Sequence, residues 1–302
     1  MTQTQGDFSV ERMCELAKVS RASYYRNWDQ AAPSEAEMAI RDAVQKAALG
    51  NRRYGYRRIA VLVQRQGVAV SAKRVLVIMR EDNLLAVRRR KFVVTTDSDH
   101  DFHIYPNLAQ YIDLTDVNQL WVADITYLRL QAEFVYLAVV LDAFSRKVVG
   151  WALGRSLQSS LPLSALNQAF ERRQPGPGLV HHSDRGSQYA SDDYVKRLEQ
   201  FNVLISMSRP ARPWENAKCE SFMKTLKQEE IQVREYHTME ELDLHIEEFI
   251  NIYYNKERLH SALNYFSPED FENQHELERK KQMSSLPVAL SFRRHKEIYP
   301  DA

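Results

Sequence analysis

The sequence predicts an α+β protein, an all-α helix-turn-helix region followed by a five-stranded mixed sheet flanked by helices. Three observations carry this expectation. Apolar residues recur at helical spacing, with arginines between them, in short segments broken by Pro33 and Gly67. Three β-rich runs then follow one another from 119 to 153, separated only by turns. Beyond 161, helical and strand-like segments alternate.

The elements are expected in the following order. "SVERMCELAKVSRASYYRNW" reads as a short helix, a turn near Val19–Ser20 and a second helix. Ser34 is placed to cap a helix reaching about Leu49, and "GNRRYGYRRIAVLVQRQG" and "VSAKRVLVIMREDNL" give two more, the latter capped by Ser71. Residues 1–94 thus form the helical region, and 95–115 a linker. A core over 116–275 opens with the strands "LWVADITYLRL", "FVYLAVVLDAF" and "KVVGWAL". The helix "LPLSALNQAFERR", a strand ending at "VHHS", the helix "SDDYVKRLEQF", the strand "VLISMS" and a long helix over 215–230 follow, with 276–302 as a tail.

Composition excludes several classes. No apolar run among the 302 residues approaches the roughly 18 needed to span a membrane, and the N-terminus lacks a signal-peptide pattern. Two distant cysteines, Cys14 and Cys219, form neither a disulfide framework nor a zinc knuckle, so a reducing cytoplasm and no zinc are expected. The net charge of +1 conceals an asymmetry, because residues 1–100 carry 18 Lys or Arg against 11 Asp or Glu, and the remainder 23 against 29. Residues 41–95 are more basic still, 14 against 3, and end near the run "RRRK" at 88–91. Four adjacent cations repel unless phosphates sit nearby, so this region suits a nucleic-acid grip, with a merely solvated basic surface as the alternative on charge alone. Arg57, Arg58, Lys73 and Arg74 are its candidate contacts, mostly to phosphates.

Three carboxylates stand out in the second half. Asp184 ends a strand in "LVHHSDRGSQY", where an ordinary turn aspartate and a metal ligand are both open. Asp124 lies mid-strand among Trp121, Val122 and Ile125, on the face of Val122 and Thr126 and opposite Trp121, where a compensated buried acid and an aspartate on the solvent side of an edge strand are both open. Glu220 shares a helix face with Asn216, Lys224 and Lys227, a face that suits an ion beside a phosphodiester, or a plain surface ion pair. Thirty-five residues separate Asp184 from Glu220. Elsewhere Asp142 suggests a turn role, His181 and His182 sheet positions, Trp121 and Trp151 core, and His260 with Arg258 and Tyr253 helix packing.

This spacing, behind a three-strand unit whose first strand bears an aspartate, resembles the DDE transposase and retroviral integrase superfamily with its RNase H-like fold. "VSRASYYR", "RRYGYRRI" and "VSAKRVLVIMREDNL" are similar to the front part of bacterial integrase-type insertion-sequence transposases. "WVADITYL", "LDAFSRKVVGWAL", "HHSDRGSQYAS" and "YYNKERLHSALNYFSPEDF" are similar to their catalytic part, and the matches run in order from about 9 to 272. Glu215 stands where the family usually has Asp before the same amide, and "RPARPW" replaces a glycine-containing turn.

The resemblance implies DNA cleavage followed by 3′-OH strand transfer, an in-line phosphoryl displacement with two Mg²⁺ (or Mn²⁺) ions per site. Asp124 would bridge the ions while Asp184 and Glu220 each complete one site. Lys227 would contact the element's terminal phosphates, with Lys224 and Asn216 on the same surface and Arg185 and Gln188 reaching substrate DNA. At least a dimer is implied, together with an upstream helix-turn-helix partner from the same element. The alternatives are an inert, transposase-derived DNA-binding regulator and another RNase H-like nuclease.

Overall fold

Serine side chains open three of the front helices. Ser9, Ser34 and Ser71 sit in extended backbone, and each accepts a hydrogen bond from the amide three residues on, those of Arg12, Glu37 and Arg74. The computed structural model describes residues 9–18, 20–22, 34–85, 103–131, 133–209 and 212–285. The chain divides into two compact units, residues 1–87 and 88–302.

The first unit contains α1 (Val10–Ala17), α2 (Glu35–Gly50), α3 (Tyr56–Arg65) and α4 (Ala72–Glu81). Most of the second helix expected within 9–28, and the run "RRRK", lie outside the described residues. Val44, Ala47 and Ala48 of α2, Ile59, Ala60 and Val63 of α3, and Val75, Ile78 and Met79 of α4 are buried together. Each fully buried aliphatic side chain contributes about 1.5–3 kcal/mol relative to exposure. Helix α3 starts later than its sequence pattern suggests, because residues 51–55 turn instead, with Tyr54 donating its amide to the Asn51 carbonyl. Gly67, at φ +86°, ends α3 in a conformation that side chains resist, and Ser71 starts α4 four residues on. Arg41 reaches from α2 to Glu81 and Asp82, and Gln45 to Asp82, fastening α2 to the end of α4.

In the second unit, β1 (Leu120–Arg129), β2 (Phe134–Asp142), β3 (Val148–Gly154), β4 (Val180–Ser183) and β5 (Leu204–Met207) form one sheet in the order β3-β2-β1-β4-β5. The first three pair antiparallel, and β4 and β5 run parallel to β1. With helices on both sides this is the RNase H-like arrangement. Alternation along β1 divides the core. Leu120, Val122 and Leu128 face α7 (Ala217–Leu226) and α8 (Met239–Glu248), whereas Trp121 and Ala123 face α5 (Ser160–Arg173) and α6 (Asp192–Gln200). Gly150 permits the closest approach, since a Cβ there would lie 2.1 Å from the Ala165 carbonyl oxygen of α5.

Part of the expected linker belongs to the core. Leu108, Ala109, Ile112 and Leu114 pack against the α7 layer, and the amides of Leu108 and Ala109 donate to Ser206 Oγ at 2.8 and 3.3 Å. Helix α9 (Pro268–Ser285) likewise runs past residue 276, where the tail was placed. Its Glu269 and Glu272 accept from Lys147, and Glu272 also from Arg173, so two carboxylates tie the helix to β3 and α5. Both α7 and α8 continue as π-helical turns, Lys227–Ile231 and Phe249–Glu257.

Candidate active site

Strand register brings the two aspartates to one level. Leu120, Trp121 and Val122 of β1 lie opposite Val180, His181 and His182 of β4, and two residues further along each strand stands an aspartate, Asp124 and Asp184. Neighbouring strands lie about 4.8 Å apart. Asp124 is half-buried on the α7 face of the sheet, as its alternation with Trp121 predicts. Asp184 leaves the end of β4 and turns on itself, its Oδ1 accepting from the Gly186 amide at 3.0 Å. A Cβ at Gly186 would lie 3.1 Å from that oxygen, so glycine keeps the turn open.

Glu220 comes from the first turn of α7. Its helix is fastened to β1 by Asn216, whose Nδ2 donates to the Ala123 carbonyl at 2.9 Å, one residue before Asp124. Asn216 is only 6% exposed. The sequence placed it on the DNA-facing surface; the fold turns it inward as the joint between helix and strand.

The three carboxylates share one electrostatic field. Burial, and then the charge of Asp184, push the Asp124 carboxyl up to about 8; Glu220 adds to the rise, while the Ile125 amide and Lys227 oppose it. Partial burial raises Glu220 as well. Burial lowers the Lys227 ammonium and Asp124 pulls it back, and Lys227 Nζ stands 4.5 Å from the Tyr127 ring centroid. Behind the aspartates, the Tyr189 phenol is 2% exposed and its hydroxyl makes no hydrogen bond. Its ionisation is pushed well upward by burial, by Tyr194 and by the charges of Asp124 and Asp184.

A carboxyl raised by burial and by two neighbouring acids marks a site short of positive charge, and its hard oxygens suit Mg²⁺ or Mn²⁺. Among the described residues, no three His, Cys, Asp or Glu side chains close around a single point. A cation held here would therefore complete its shell with water and phosphate oxygens, as Mg²⁺ does in phosphoryl-transfer sites.

The remaining expected contacts divide by exposure. Lys224 is exposed on α7. Arg185 Nε donates to the Ser208 carbonyl at 2.9 Å, and Gln188 Nε2 to the Leu157 carbonyl at 3.3 Å, so both brace loops around Asp184. In the front unit Arg57 and Lys73 are exposed, whereas Arg58 lies 5.3 Å over the Tyr54 ring and Arg74 pairs with Glu37. Glu215 accepts from the Arg209 amide, Arg209 Nε and Asn107 Nδ2, each at 2.8 Å. Its burial would raise its pKa, but these donors prevail and hold it below the usual range, as a loop anchor. Asp142 accepts from the amides of Asn118, Phe144 and Ser145, the turn role its position suggests. Burial takes His181 down to about 3 and His182 to about 4, leaving both as neutral sheet residues.

Residues 115–213 and 202–268 both match the family described as Integrase core domain, and residues 35–92 match an HTH-like domain. Over 264 residues the chain is 37% identical to the "Insertion element IS600 uncharacterized 31 kDa protein" of Shigella sonnei, across 86% of this chain and 97% of that one. It is 34% identical over 275 residues to "Transposase InsF for insertion sequence IS3A" of Escherichia coli K12, across 89% and 96%. The chain belongs to the integrase-core transposases of insertion sequences. Among solved structures, the HTLV-2 integrase catalytic core domain in complex with magnesium is similar at 18% identity and a TM-score of 0.39, over 48% of this chain and 92% of that one.

Membership gives the transposase its class of activity: it is a polynucleotidyl transferase, of the kind that cleaves DNA and transfers strands in insertion sequences. No helix among its described residues is long and apolar enough to cross a membrane. Sequence reasoning missed Tyr127, Tyr189 and the inward turn of Asn216. Only the last had a signal, a lone amide ahead of a helix whose next buried position is Cys219.

Proposed function

We propose that this transposase cuts and joins insertion-sequence ends through Asp124, Asp184 and Glu220, which hold Mg²⁺ or Mn²⁺, two ions per site. What carries the reading is where the fold puts the three side chains: Asp124 on β1, Asp184 just past the neighbouring strand β4, and Glu220 on α7, which Asn216 fastens to β1. When bound, the two cations neutralise charge on the attacking and leaving oxygens of an in-line displacement. Asp124, whose carboxyl feels both other acids, would contribute to holding both cations, and Asp184 and Glu220 would each help to hold one. Water attacks the scissile phosphorus first, and the 3′ oxygen leaves with a proton. The freed 3′-OH then gives up its proton and attacks a phosphorus of target DNA, and the target strand's 3′ oxygen leaves and takes up a proton.

Lys227, steadied over Tyr127 and drawn toward Asp124, holds the terminal phosphates of the element, with Lys224 beside it. Arg185 and Gln188 set the loops that receive the strand. Asn216 acts on this reaction by fixing where Glu220 stands. The helical region, residues 1–94, grips DNA through Arg57 and Lys73, with Arg58 and Arg74 behind them. The working form is at least a dimer joining two ends, assisted by an upstream helix-turn-helix protein of the same element. An inert DNA-binding descendant would have no use for three mutually repelling carboxylates.

The test is a strand-transfer assay on labelled end DNA with Mg²⁺, comparing the full chain with Asp184→Asn. Joining falls to background in the variant while DNA binding persists. Undiminished joining by the variant would refute the assignment.

A further inference from the structure

Trp214 is the largest apolar side chain exposed in the described part of the transposase, 64% accessible, although the backbone carrying it is tightly held. The next residue, Glu215, has a side chain only 7% exposed and is fixed by Arg209 and Asn107. The residue after that, Asn216, is bonded to the Ala123 carbonyl, beside Asp124. A short 3-10 turn, Pro213–Asn216, then runs directly into α7, which carries Glu220. The indole therefore stands in solvent two residues before Asn216, which is bonded to the strand of Asp124, and six before Glu220.

An indole is apolar over its faces and polar at its N–H, which is why exposed Trp is enriched where proteins meet ligands. The chemistry around it indicates which partner. The Arg212 guanidinium lies 5.9 Å from the ring centroid, Arg209 is on the same loop, and Lys224 is exposed on the following helix. Cations beside a flat aromatic face suit a polyanion that also carries flat rings.

We infer that Trp214 stacks on an unpaired nucleobase of the DNA strand next to the scissile phosphate. The inference rests on the strand-transfer reading and adds a residue to it. Opening the last base pairs frees the strand to enter the site, and the indole holds the displaced base in place of its lost neighbour, while the arginines meet the adjoining phosphates. Base–aromatic stacking is tolerant of base identity, so Trp214 sets strand position and contributes little to sequence choice.

The test uses the full chain and a short duplex from the element's end with 5-iododeoxyuridine at the nucleotides flanking the cut. Irradiation is expected to crosslink Trp214 at one of these positions in the wild-type protein, which requires no variant. Trp214→Ala is expected to slow end cleavage about tenfold, and Trp214→Phe to retain most of the rate, at unchanged melting temperature. Crosslinks that map elsewhere, or cleavage by Trp214→Ala at the wild-type rate, would overturn the stacking role. So would a Trp214→Ala protein that loses its multimer while binding end DNA as tightly as the wild type, because the ring would then belong to a protein interface. Failure of the wild type to cut any end DNA with Mg²⁺ and the upstream protein of the element supplied would instead overturn the strand-transfer reading.

Discussion

Asp124 on β1 and Asp184, the first residue past β4, each lie two residues beyond the paired Val122 and His182, close enough for the charge of one to act on the other. A β-sheet thus places two carboxylates side by side, and burial with mutual repulsion pushes Asp124 up to about 8. In the metal-free protein this works against folding. A carboxyl held near 8 in the native state and near 4 unfolded stabilises the fold fully below about pH 4, and that contribution is lost as the pH rises toward 8. Asp124→Asn removes the dependence. Calorimetry without divalent cations should find the variant more stable than the wild type at pH 8, by about 1–3 kcal/mol after allowing for the solvent-facing edge of the carboxylate. The gap should close at pH 4 and shrink when Mg²⁺ is added.

The Asn216–Ala123 bond separates fold from chemistry. Asn216→Ala removes one buried hydrogen bond, with a stability cost of about 1 kcal/mol. The larger effect falls on catalysis, since Glu220 loses its anchor to the strand of Asp124 and a displacement of about 1 Å can cost about a hundredfold in rate. End binding by gel shift should hardly change while cleavage falls steeply. Equal losses in both would make Asn216 a DNA contact after all.

Glu229 and Arg258 form a buried clamp behind α7. Arg258 donates to Glu229 at 2.8 and 2.7 Å, and the Tyr253 hydroxyl adds a third bond at 2.9 Å. Arg258→Met should destabilise by about 3–5 kcal/mol because it strands a buried carboxylate. The double change with Glu229→Met should recover much of that in thermal melts, whereas additive losses would contradict the clamp.

In the front unit, exposure separates grip from scaffold. Arg57→Ala and Lys73→Ala should each reduce the slope of log affinity against log salt by about 1 with little change in melting temperature. Arg74→Ala should lower the melting temperature instead, since it releases Glu37.

Much of this architecture was legible from sequence because it is written in local patterns. The three-strand unit, the serine caps and the alternation that puts Asp124 opposite Trp121 depend on periods of 2 and 3.6 residues. Asp184 and Glu220 came from spacing and resemblance. What was hidden depends on tertiary contact. Helical periodicity alone set Asn216, Glu220, Lys224 and Lys227 on one face, but only packing against β1 shows that one end of that face is buried and the middle open. The packing of Leu108 on the sheet was equally invisible, because its bonds go to Ser206, 98 residues away.

The most direct measurement is anomalous diffraction from crystals of the full chain with an end duplex and Mn²⁺. The account expects two peaks about 3.5–4 Å apart, both against Asp124, with Asp184 beside one and Glu220 beside the other. Manganese peaks lying away from these three side chains, with the duplex correctly seated, would contradict it.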